Sequence, residues 1–263
     1  MFRGDRLEAI KINQKRKKTS TLSNLITIIC LGIFFYSLFQ LSNIAWDYYD
    51  NRKNMGEARE IYYQDEDKVS ASHGETRPQF HSLLGMNRDI TGWIRLDDTP
   101  IDYPILQAQD NNYYLDKNYK KQSTRAGSIF MDFRNNVELG SRNTILYGHD
   151  MKDGSMFGNL KKFLQIHFFN QHRLLYYDTL YESYEAEVFS VYRTTTDFYY
   201  IQTDFSSKTE YASFIKNIQD RSVFQTGITL TEDDSILTLS TCDYELDPDK
   251  GRLVVHAKLT KRT

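Results

Sequence analysis

A stretch without charged residues near the amino end constrains this chain more than any other feature of its sequence. From Thr19 to Trp46 there is no Asp, Glu, Lys, Arg or His, and the centre, Leu25 to Phe39, is strongly apolar. About 20 apolar residues of helix span the hydrocarbon core of a bilayer, so this stretch is long enough to cross one. We expect a transmembrane anchor over residues 22–46.

The charges on either side of this segment predict its orientation. A basic run at residues 11–18 precedes it, and Asp47 and Asp50 follow it. Because positive charge stays on the cytoplasmic side, residues 1–21 are predicted to be a cytoplasmic basic segment and the rest to lie outside the cell. A cleaved signal peptide is the alternative, but no convincing small-residue cleavage site is present near residues 42–45. We therefore expect an uncleaved, single-pass protein of the cell membrane.

Charge and cysteine content limit the class of function. The formal net charge is −2, so no global basic field indicates a nucleic-acid partner. Two cysteines occur, Cys30 within the apolar segment and Cys242 near the carboxyl end. If Cys30 lies in a membrane, Cys242 has no partner in the extracellular part, where a lone thiol is unusual. From the count alone, a packed apolar cysteine is the simpler interpretation.

The remaining chain has the pattern of a mainly β domain that follows a helical lead-in. Residues 47–90 are polar and strand-poor, which predicts one or two amphipathic helices with a break near residues 70–78. Over residues 91–263, short β-rich runs alternate with turn residues and favour an eight-stranded β-barrel. The predicted strands are Trp93–Leu96, Ile101–Leu106, Ser128–Met131, Thr144–Tyr147, Leu174–Tyr177, Ala186–Tyr192, Ile236–Thr241 and Leu253–Leu259.

Two helices are predicted to interrupt the strands. They are Phe157–Leu164 and Thr209–Ile218. The second lies in the long connection between strands 6 and 7, Thr194–Asp234. A connection of that length inside a compact domain usually has a function.

The last two predicted strands bring candidate catalytic groups together. Consecutive strands this close normally pair antiparallel, which places Cys242, at the end of the first, beside Arg252, at the start of the second. A guanidinium near a thiol favours the nucleophilic thiolate and can donate hydrogen bonds to an oxyanion. Strand alternation puts Arg252, Val254 and His256 on one face.

The six histidines supply candidates for the acid/base that cysteine acyl transfer needs. His149 follows the strand NTILYG and opens a glycine-containing loop, where a polar side chain can face a cleft. His256 lies in the middle of a strand, where a packing role is expected. The others are His73, His81, His167 and His172. Cys–His pairs are recognised in space, so sequence position alone leaves His149 in competition with the other five.

Three motifs resemble the signatures of the sortases. TLSTC at Thr238–Cys242 resembles their TLxTC motif, and LYGHD at Leu146–Asp150 resembles their histidine motif. GRLVVHAKL at Gly251–Leu259 resembles the strand that carries their essential arginine. The three occur in the family's order and at its spacing, which makes the combination specific. The resemblance covers residues 80–262 and, with the anchor, nearly the whole chain.

Within the sortases the chain is similar to class B. The stretch Gly92–Gln107 resembles the opening of that class's barrel, and the helical lead-in and the helix between strands 6 and 7 are features of the class. Class B enzymes are single-pass surface proteins of Gram-positive bacteria. They cut a sorting signal of the type Asn-Pro-x-Thr-(Asn/Gly/Ser) after Thr and join the protein to a peptidoglycan amine. The resemblance implies these partners, a catalytic barrel over residues 91–263, and neither a metal nor a cofactor.

The resemblance also implies roles for individual residues. Cys242 is the expected nucleophile, His149 the acid/base, and Arg252 the oxyanion or substrate clamp. Signal recognition carries over to Asn111, Leu115, Thr196, Tyr200, Ile201 and Ser240, for each of which loop packing or exposure is an equally good explanation. Tyr244 is a departure, because some class B members have an acidic residue there. No aspartate is therefore assigned to the catalytic group.

Other functions remain open at this point. One is hydrolysis by a papain-like enzyme or a cell-wall amidase, although an all-β barrel does not suit the papain type. Another is a sortase that polymerises pilins, whose acceptor is a lysine side chain. The third is an anchored β-barrel binding module without catalysis, in which Cys242 is merely buried.

Overall fold

The computed structural model describes residues 4–64, 74–137 and 140–262, which contain four α-helices and eight β-strands. The helices are α1 (Gly4–Gln64), α2 (His81–Met86), α3 (Ile166–Gln171) and α4 (Lys208–Asp220). The strands are β1 (Ile90–Arg95), β2 (Asp102–Leu106), β3 (Ile129–Met131), β4 (Asn143–Tyr147), β5 (Leu174–Thr179), β6 (Ser183–Thr195), β7 (Ser235–Cys242) and β8 (Gly251–Lys261). Short 3-10 helices occur at Pro78–Phe80, Tyr113–Leu115 and Leu160–Leu164.

The eight strands close into a barrel in the order β1-β2-β3-β4-β7-β8-β6-β5. Two pairings are parallel, β2 with β3 and β4 with β7, and the others are antiparallel. Closure gives each of the eight strands a neighbour on both sides. The predicted mainly β fold is confirmed, with eight strands and a helix, α4, between β6 and β7.

Strand alternation divides the side chains of the barrel between two cores. Leu239 and Val255 belong to a large cluster that fills the barrel interior. Ile236 and Val254 belong to a second cluster on the outer face, beneath α4 and the connection that carries it. Because successive side chains of a strand point to opposite faces, the even-numbered positions of β7 and β8 face outward. Cys242 and Arg252 are among these positions.

The chain divides into two compact units, Met1–Asp50 and Asn51–Thr263. In the first unit the large apolar side chains from Leu25 to Leu41 are exposed along α1. From Ser23 onward this helix is long and apolar enough to cross a membrane, judged by length and composition alone.

In the second unit the end of α1 packs on the barrel. Met55, Ala58 and Tyr62 are buried in the main core cluster. The Tyr62 ring stacks on the Trp93 ring with 4.2 Å between centroids, and its hydroxyl donates to Asp178. The last turns of this helix and α2 provide the helical structure expected before the barrel. The predicted break near residues 70–78 lies partly outside the described residues.

The helix predicted at Phe157–Leu164 differs from the one observed. A 3-10 helix spans Leu160–Leu164, and α3 follows at Ile166–Gln171, which the sequence reading did not include. Phe157, Leu160 and Phe163 are all buried. Their spacing of three residues matches the period of a 3-10 helix, in which side chains three apart lie above one another.

Candidate active site

Three neighbouring strands place the predicted catalytic residues at one end of the barrel. Tyr147 of β4 pairs with Ser240 of β7, so His149 follows β4 at the level where Cys242 ends β7. Across β7 and β8, Cys242 is the direct partner of Arg252. Neighbouring strands lie about 4.8 Å apart, and directly paired residues direct their side chains to the same face. The structure therefore brings these three residues to adjacent positions on adjacent segments.

Two glycines allow close packing where these segments leave the sheet. A Cβ atom at Gly148 would lie 2.5 Å from Ile129 Cδ1 and 2.9 Å from Phe157 Cδ2. A Cβ atom at Gly251 would overlap the carbonyl oxygen of Asp243. Only glycine avoids these contacts, so close packing against side chains at Gly148 and against backbone at Gly251 sets the residue types beside His149 and Arg252.

The His149 ring is oriented by a backbone carbonyl. Its Nε2 lies 2.7 Å from the carbonyl oxygen of Leu115, in the loop between β2 and β3. A carbonyl oxygen can only accept, so Nε2 carries the hydrogen and donates it. Nδ1 is then the nitrogen that remains for proton exchange with another group.

The Arg252 guanidinium lies against the connection between β7 and β8. Its Nη1 donates to the carbonyl oxygens of Gly251, at 2.7 Å, and Asp249, at 3.3 Å. Arg252 and Cys242 are each partly exposed, so both can contact a molecule that approaches this end of the barrel.

Tyr244 brings a hydroxyl group to the Cys242 sulfur. Its side chain is 58% exposed. The pKa of the Tyr244 hydroxyl is raised, foremost by negative charge on Cys242, then by burial and by a hydrogen bond with the sulfur. The sequence analysis assigned no role to Tyr244.

A cavity of about 50 Å³ beside Cys242 is lined by charged side chains. Asp243 directs its carboxylate to Arg193 of β6, with 3.0 Å from Oδ2 to Nε, and Arg193 also pairs with Glu245 at 2.7 Å. Burial raises the pKa of Asp150, which lines the same cavity, and the carboxylates of Asp243 and Glu245 add to the rise. Asp243 is thus engaged in an ion pair with Arg193, although it directly follows Cys242.

Two of the predicted recognition residues lie beneath the surface. Tyr200 is 4% exposed and Ser240 is 2% exposed. Their hydroxyl groups form a hydrogen bond, with 2.7 Å between the two oxygens. Ser240 is two residues before Cys242 on the outer face of β7, so this bond holds the connection between β6 and β7 over that face.

The other four predicted recognition residues lie on two segments near this face. Asn111 and Leu115 belong to the first loop segment, residues 111–115, and Leu115 is 40% exposed. Thr196, which is exposed, and Ile201, which is partly buried, belong to the second loop segment, residues 196–201. We call the outer-face surface from Tyr147 and Ser240 to Cys242, bordered by these two segments, the groove.

The remaining histidines have different surroundings. His256 is fully buried in β8 between Tyr192 and Thr238, which agrees with the packing role expected for it. His81 and His172 each have a ring nitrogen near a backbone carbonyl, and His167 is exposed. The last candidate, His73, lies outside the described residues.

Sequence reasoning missed three groups near the groove. They are the carbonyl of Leu115, the hydroxyl of Tyr244 and the buried carboxylate of Asp132, which accepts a hydrogen bond from Asn111. Asp132 directly follows β3 and precedes Arg134 by two residues, a local pattern that could have indicated an ion pair. No local sequence signal indicates that the Leu115 carbonyl lies beside His149 or that Asn111 binds Asp132. In the described part of the chain, no cluster of three or more His, Cys, Asp or Glu side chains could hold a metal ion.

Thiol, imidazole and guanidinium groups lie at adjacent positions at one end of a closed barrel, and these are the groups that cysteine acyl transfer requires. Comparison with known proteins identifies the particular family. The family described as "Sortase domain" matches residues 94–260. The chain therefore belongs to the sortase family.

Individual relatives place the chain within class B. Sortase B of Listeria monocytogenes is 42% identical over 249 residues, which cover 94% of this chain and all of that protein. Sortase B from Bacillus anthracis, whose crystal structure was solved in complex with AAEK2, has 60% sequence identity to this chain and a TM-score of 0.77. The match covers 82% of this chain and 98% of that one. The Staphylococcus aureus sortase B–substrate complex is 37% identical, with a TM-score of 0.77, and covers 83% and 100%. Like these relatives, the chain is a cysteine transpeptidase.

Proposed function

We propose that this enzyme cleaves a sorting signal of the type Asn-Pro-x-Thr-(Asn/Gly/Ser) after Thr and transfers the protein to a peptidoglycan amine. Cys242 is the nucleophile, His149 the acid/base and Arg252 the oxyanion clamp. The observation that carries this proposal is the adjacency of the three residues at the ends of β4, β7 and β8. The sortase B–substrate complex of Staphylococcus aureus supports a peptide substrate for this fold.

The first half of the reaction forms a thioester. The Cys242 thiolate attacks the carbonyl carbon of the signal's Thr, and the carbonyl oxygen takes the negative charge. Arg252 donates hydrogen bonds to that oxygen from the N–H groups that Gly251 and Asp249 do not occupy. His149 donates a proton from Nδ1 to the departing amine, the C–N bond breaks, and the acyl group stays on sulfur.

The second half transfers the acyl group to an amine. A neutral amine of the cell wall attacks the thioester carbon, and Arg252 again stabilises the oxyanion. His149, now neutral, takes the proton that the amine loses when its nitrogen is acylated. The C–S bond breaks, the new amide leaves, and Cys242 returns as the thiolate.

The signal peptide is proposed to lie in the groove. Asn111 and Leu115 on the first loop segment, and Thr196 and Ile201 on the second, are the proposed contacts. The bonded pair Tyr200 and Ser240 supports the second segment from below.

Residues 22–46 are proposed to anchor the enzyme in the cell membrane. The basic residues 1–21 then lie in the cytoplasm, and the lead-in, residues 47–90, and the catalytic barrel, residues 91–263, lie outside. The exposed apolar surface of α1 supports a membrane-spanning segment, because such a surface is stable in lipid but not in water, and the basic run at residues 11–18 supports the proposed orientation. On the outer side of the membrane the barrel would meet both proteins with a carboxyl-terminal sorting signal and the peptidoglycan amine.

The test compares the two cysteines of the full chain in detergent micelles. Cys242→Ala is expected to abolish both thioester formation and transfer of an Asn-Pro-x-Thr-Asn peptide to an added amine, because the nucleophile is lost. Cys30→Ala is the matched control and should keep activity within about twofold, since Cys30 lies in the anchor. The acyl-enzyme is detected by its added mass, and the transfer product by chromatography.

Cleavage of the peptide by Cys242→Ala at the rate of the unmodified protein would refute the assignment of the nucleophile. Hydrolysis without any transfer, over a range of amines, would contradict the proposed acceptor chemistry.

A further inference from the structure

Asp132 is a buried carboxylate on which several elements near the groove converge. Its side chain is completely buried directly after β3. Oδ2 accepts from Asn111 Nδ2 at 3.0 Å and from the Tyr147 hydroxyl at 2.8 Å. Asn111 belongs to the first loop segment, and Tyr147 is two residues before His149 on β4. One carboxylate oxygen therefore joins that loop segment to the strand that leads to the histidine.

Arg134 extends this set of contacts to the second loop segment. Its guanidinium binds Asp132 through both oxygens, with Nε 2.8 Å from Oδ1 and Nη2 2.7 Å from Oδ2. Nη2 also donates to the carbonyl oxygen of Ile201 at 3.0 Å, and Nη1 donates to the Tyr199 hydroxyl at 2.7 Å. The planar fork of arginine suits such a bidentate contact, and a lysine cannot reproduce it.

The Asp132 carboxylate is ionised in this setting. Burial by itself would raise its pKa, but the hydrogen bonds from Arg134, Tyr147 and Asn111 outweigh burial and lower it. Burial, together with the same negative charge, raises the pKa of the Tyr147 hydroxyl, which therefore keeps its proton and donates. A buried charge of this kind is retained only where its partners are held in fixed positions.

The surface above this ion pair is apolar and exposed. Phe133, between Asp132 and Arg134, is 50% exposed, and Tyr199, which binds Arg134, is 56% exposed. The backbone N–H of Phe133 donates to Asn111 Oδ1 at 3.0 Å, so both ends of the Asn111 amide are bonded within the protein. Large aromatic side chains that remain exposed to solvent next to each other are typical of a recognition surface.

We propose that Asp132 and Arg134 are positioning residues that fix the two loop segments relative to each other and so set the affinity for the signal peptide. This inference rests on the proposed function, because it assigns peptide binding to the groove. Neither residue touches the reacting atoms. The carboxyl end of the first loop segment is held beside His149 by other hydrogen bonds, from Ser128 N to the Tyr114 carbonyl and from His149 Nε2 to the Leu115 carbonyl. The position of His149 therefore does not depend on Asp132 and Arg134 alone.

The test separates binding from chemistry in the full chain. Asp132→Asn removes the charge at nearly constant shape, and Arg134→Lys keeps the charge but loses the fork. Each is expected to raise KM for an Asn-Pro-x-Thr-Asn peptide by about tenfold, since hydrogen bonds to charged groups are lost. The value of kcat and the rate of alkylation of Cys242 by iodoacetamide should stay within about twofold. Asp220→Asn is the matched control, because Asp220 forms an exposed pair with Lys216 on α4.

A second measurement does not depend on the peptide. Amide hydrogen exchange over residues 196–202 should become faster in both variants and stay unchanged in Asp220→Asn. Arg134 is partly exposed, so Arg134→Lys is expected to fold even if Asp132→Asn does not.

The two proposals fail in different ways. If the unmodified protein cleaves no sorting peptide but amide hydrogen exchange is still faster in the variants, the proposed function is contradicted and the positioning of the segments is not. Cleavage by the unmodified protein with the same KM in both variants, or a loss confined to kcat, overturns the role of Asp132 and Arg134.

Discussion

His256 is a fully buried histidine whose hydrogen bonds determine its tautomer. Thr238 Oγ1 donates to Asn143 Oδ1 at 2.6 Å, so its only hydrogen is used. His256 Nδ1 must therefore donate to Thr238, at 2.8 Å, and Nε2 must accept from the Tyr192 hydroxyl, also at 2.8 Å. Both nitrogens are satisfied in the neutral ring, and protonation would place a second hydrogen against the one from Tyr192.

The pH dependence of stability should report this neutral state. Burial lowers the pKa of His256 from 6.5 to about 3 in the folded protein. Between these values the unfolded chain binds a proton that the folded protein does not, so stability falls as pH falls from 6.5 toward 3. The expected contribution is about 1.4 kcal/mol of unfolding free energy for each pH unit. Urea denaturation of the unmodified protein and of His256→Gln at several pH values measures it.

The control for this prediction is His81→Gln, which changes an exposed histidine. It should keep the pH dependence of the unmodified protein, whereas His256→Gln should have a shallower one. Equal slopes for all three proteins would show that His256 is not held neutral.

The connection between β7 and β8 determines how Cys242 and Arg252 face each other. It is closed by backbone bonds, from Asp243 N to the Gly251 carbonyl at 2.9 Å and from Gly251 N to the Asp247 carbonyl at 3.1 Å. The pairing of Cys242 with Arg252 follows directly after these bonds. A shift of this turn would therefore move the sulfur and the guanidinium together.

A methyl group at Gly251 should disturb this element. In Gly251→Ala the new Cβ overlaps the Asp243 carbonyl and lies 2.6 Å from the Asp247 carbonyl, both of them backbone atoms that cannot rotate away. We expect a loss of more than about 2 kcal/mol in unfolding free energy. The value of kcat/KM should fall by about tenfold or more, because the reacting groups are misplaced.

Gly85→Ala is the matched control, since no atom lies within 4 Å of a Cβ at that position in α2. It should be neutral or slightly stabilising, because alanine favours helix more than glycine does. Urea denaturation and peptide cleavage are measured on both variants. If Gly251→Ala behaves like Gly85→Ala, the close packing of the turn does not position the site.

At the scale of the whole molecule, every proposed site residue belongs to the unit Asn51–Thr263. The solved Bacillus anthracis structure, nearly all of which matches this chain, corresponds to 82% of its length. Removing residues 1–50 should thus leave kcat/KM for the soluble peptide within about twofold. The full chain should sediment with membranes and be released by detergent but not by high salt, whereas the shortened chain should stay in the supernatant.

Two results would contradict this prediction. Release of the full chain by salt alone would indicate electrostatic attachment rather than a spanning helix. A large loss of activity in the shortened chain would show that the first unit contributes to the site or to folding of the second.

Local sequence patterns predicted the strands because their side chains alternate between buried and exposed faces, or lie in short apolar runs between turn residues. All eight strands were found, with ends that differ by a few residues. The adjacency of Cys242 and Arg252 could be predicted as well, because a short connection between consecutive strands allows antiparallel pairing. The adjacency of His149 could not be predicted, since β5, β6 and α4 separate β4 from β7 along the chain, and these two strands pair only when the barrel closes.

The amino-acid sequence by itself determined the long apolar segment, the strands and the chemical identity of the proposed catalytic groups, since each depends on neighbouring residues. Only the tertiary structure decided which hydrogen bonds those groups make. The Tyr244 hydroxyl is only two residues from Cys242, but the carbonyl oxygen beside His149 and the Asn111 amide that binds Asp132 come from distant segments. Their positions follow from closure of the barrel, because closure determines which strand ends and loops meet.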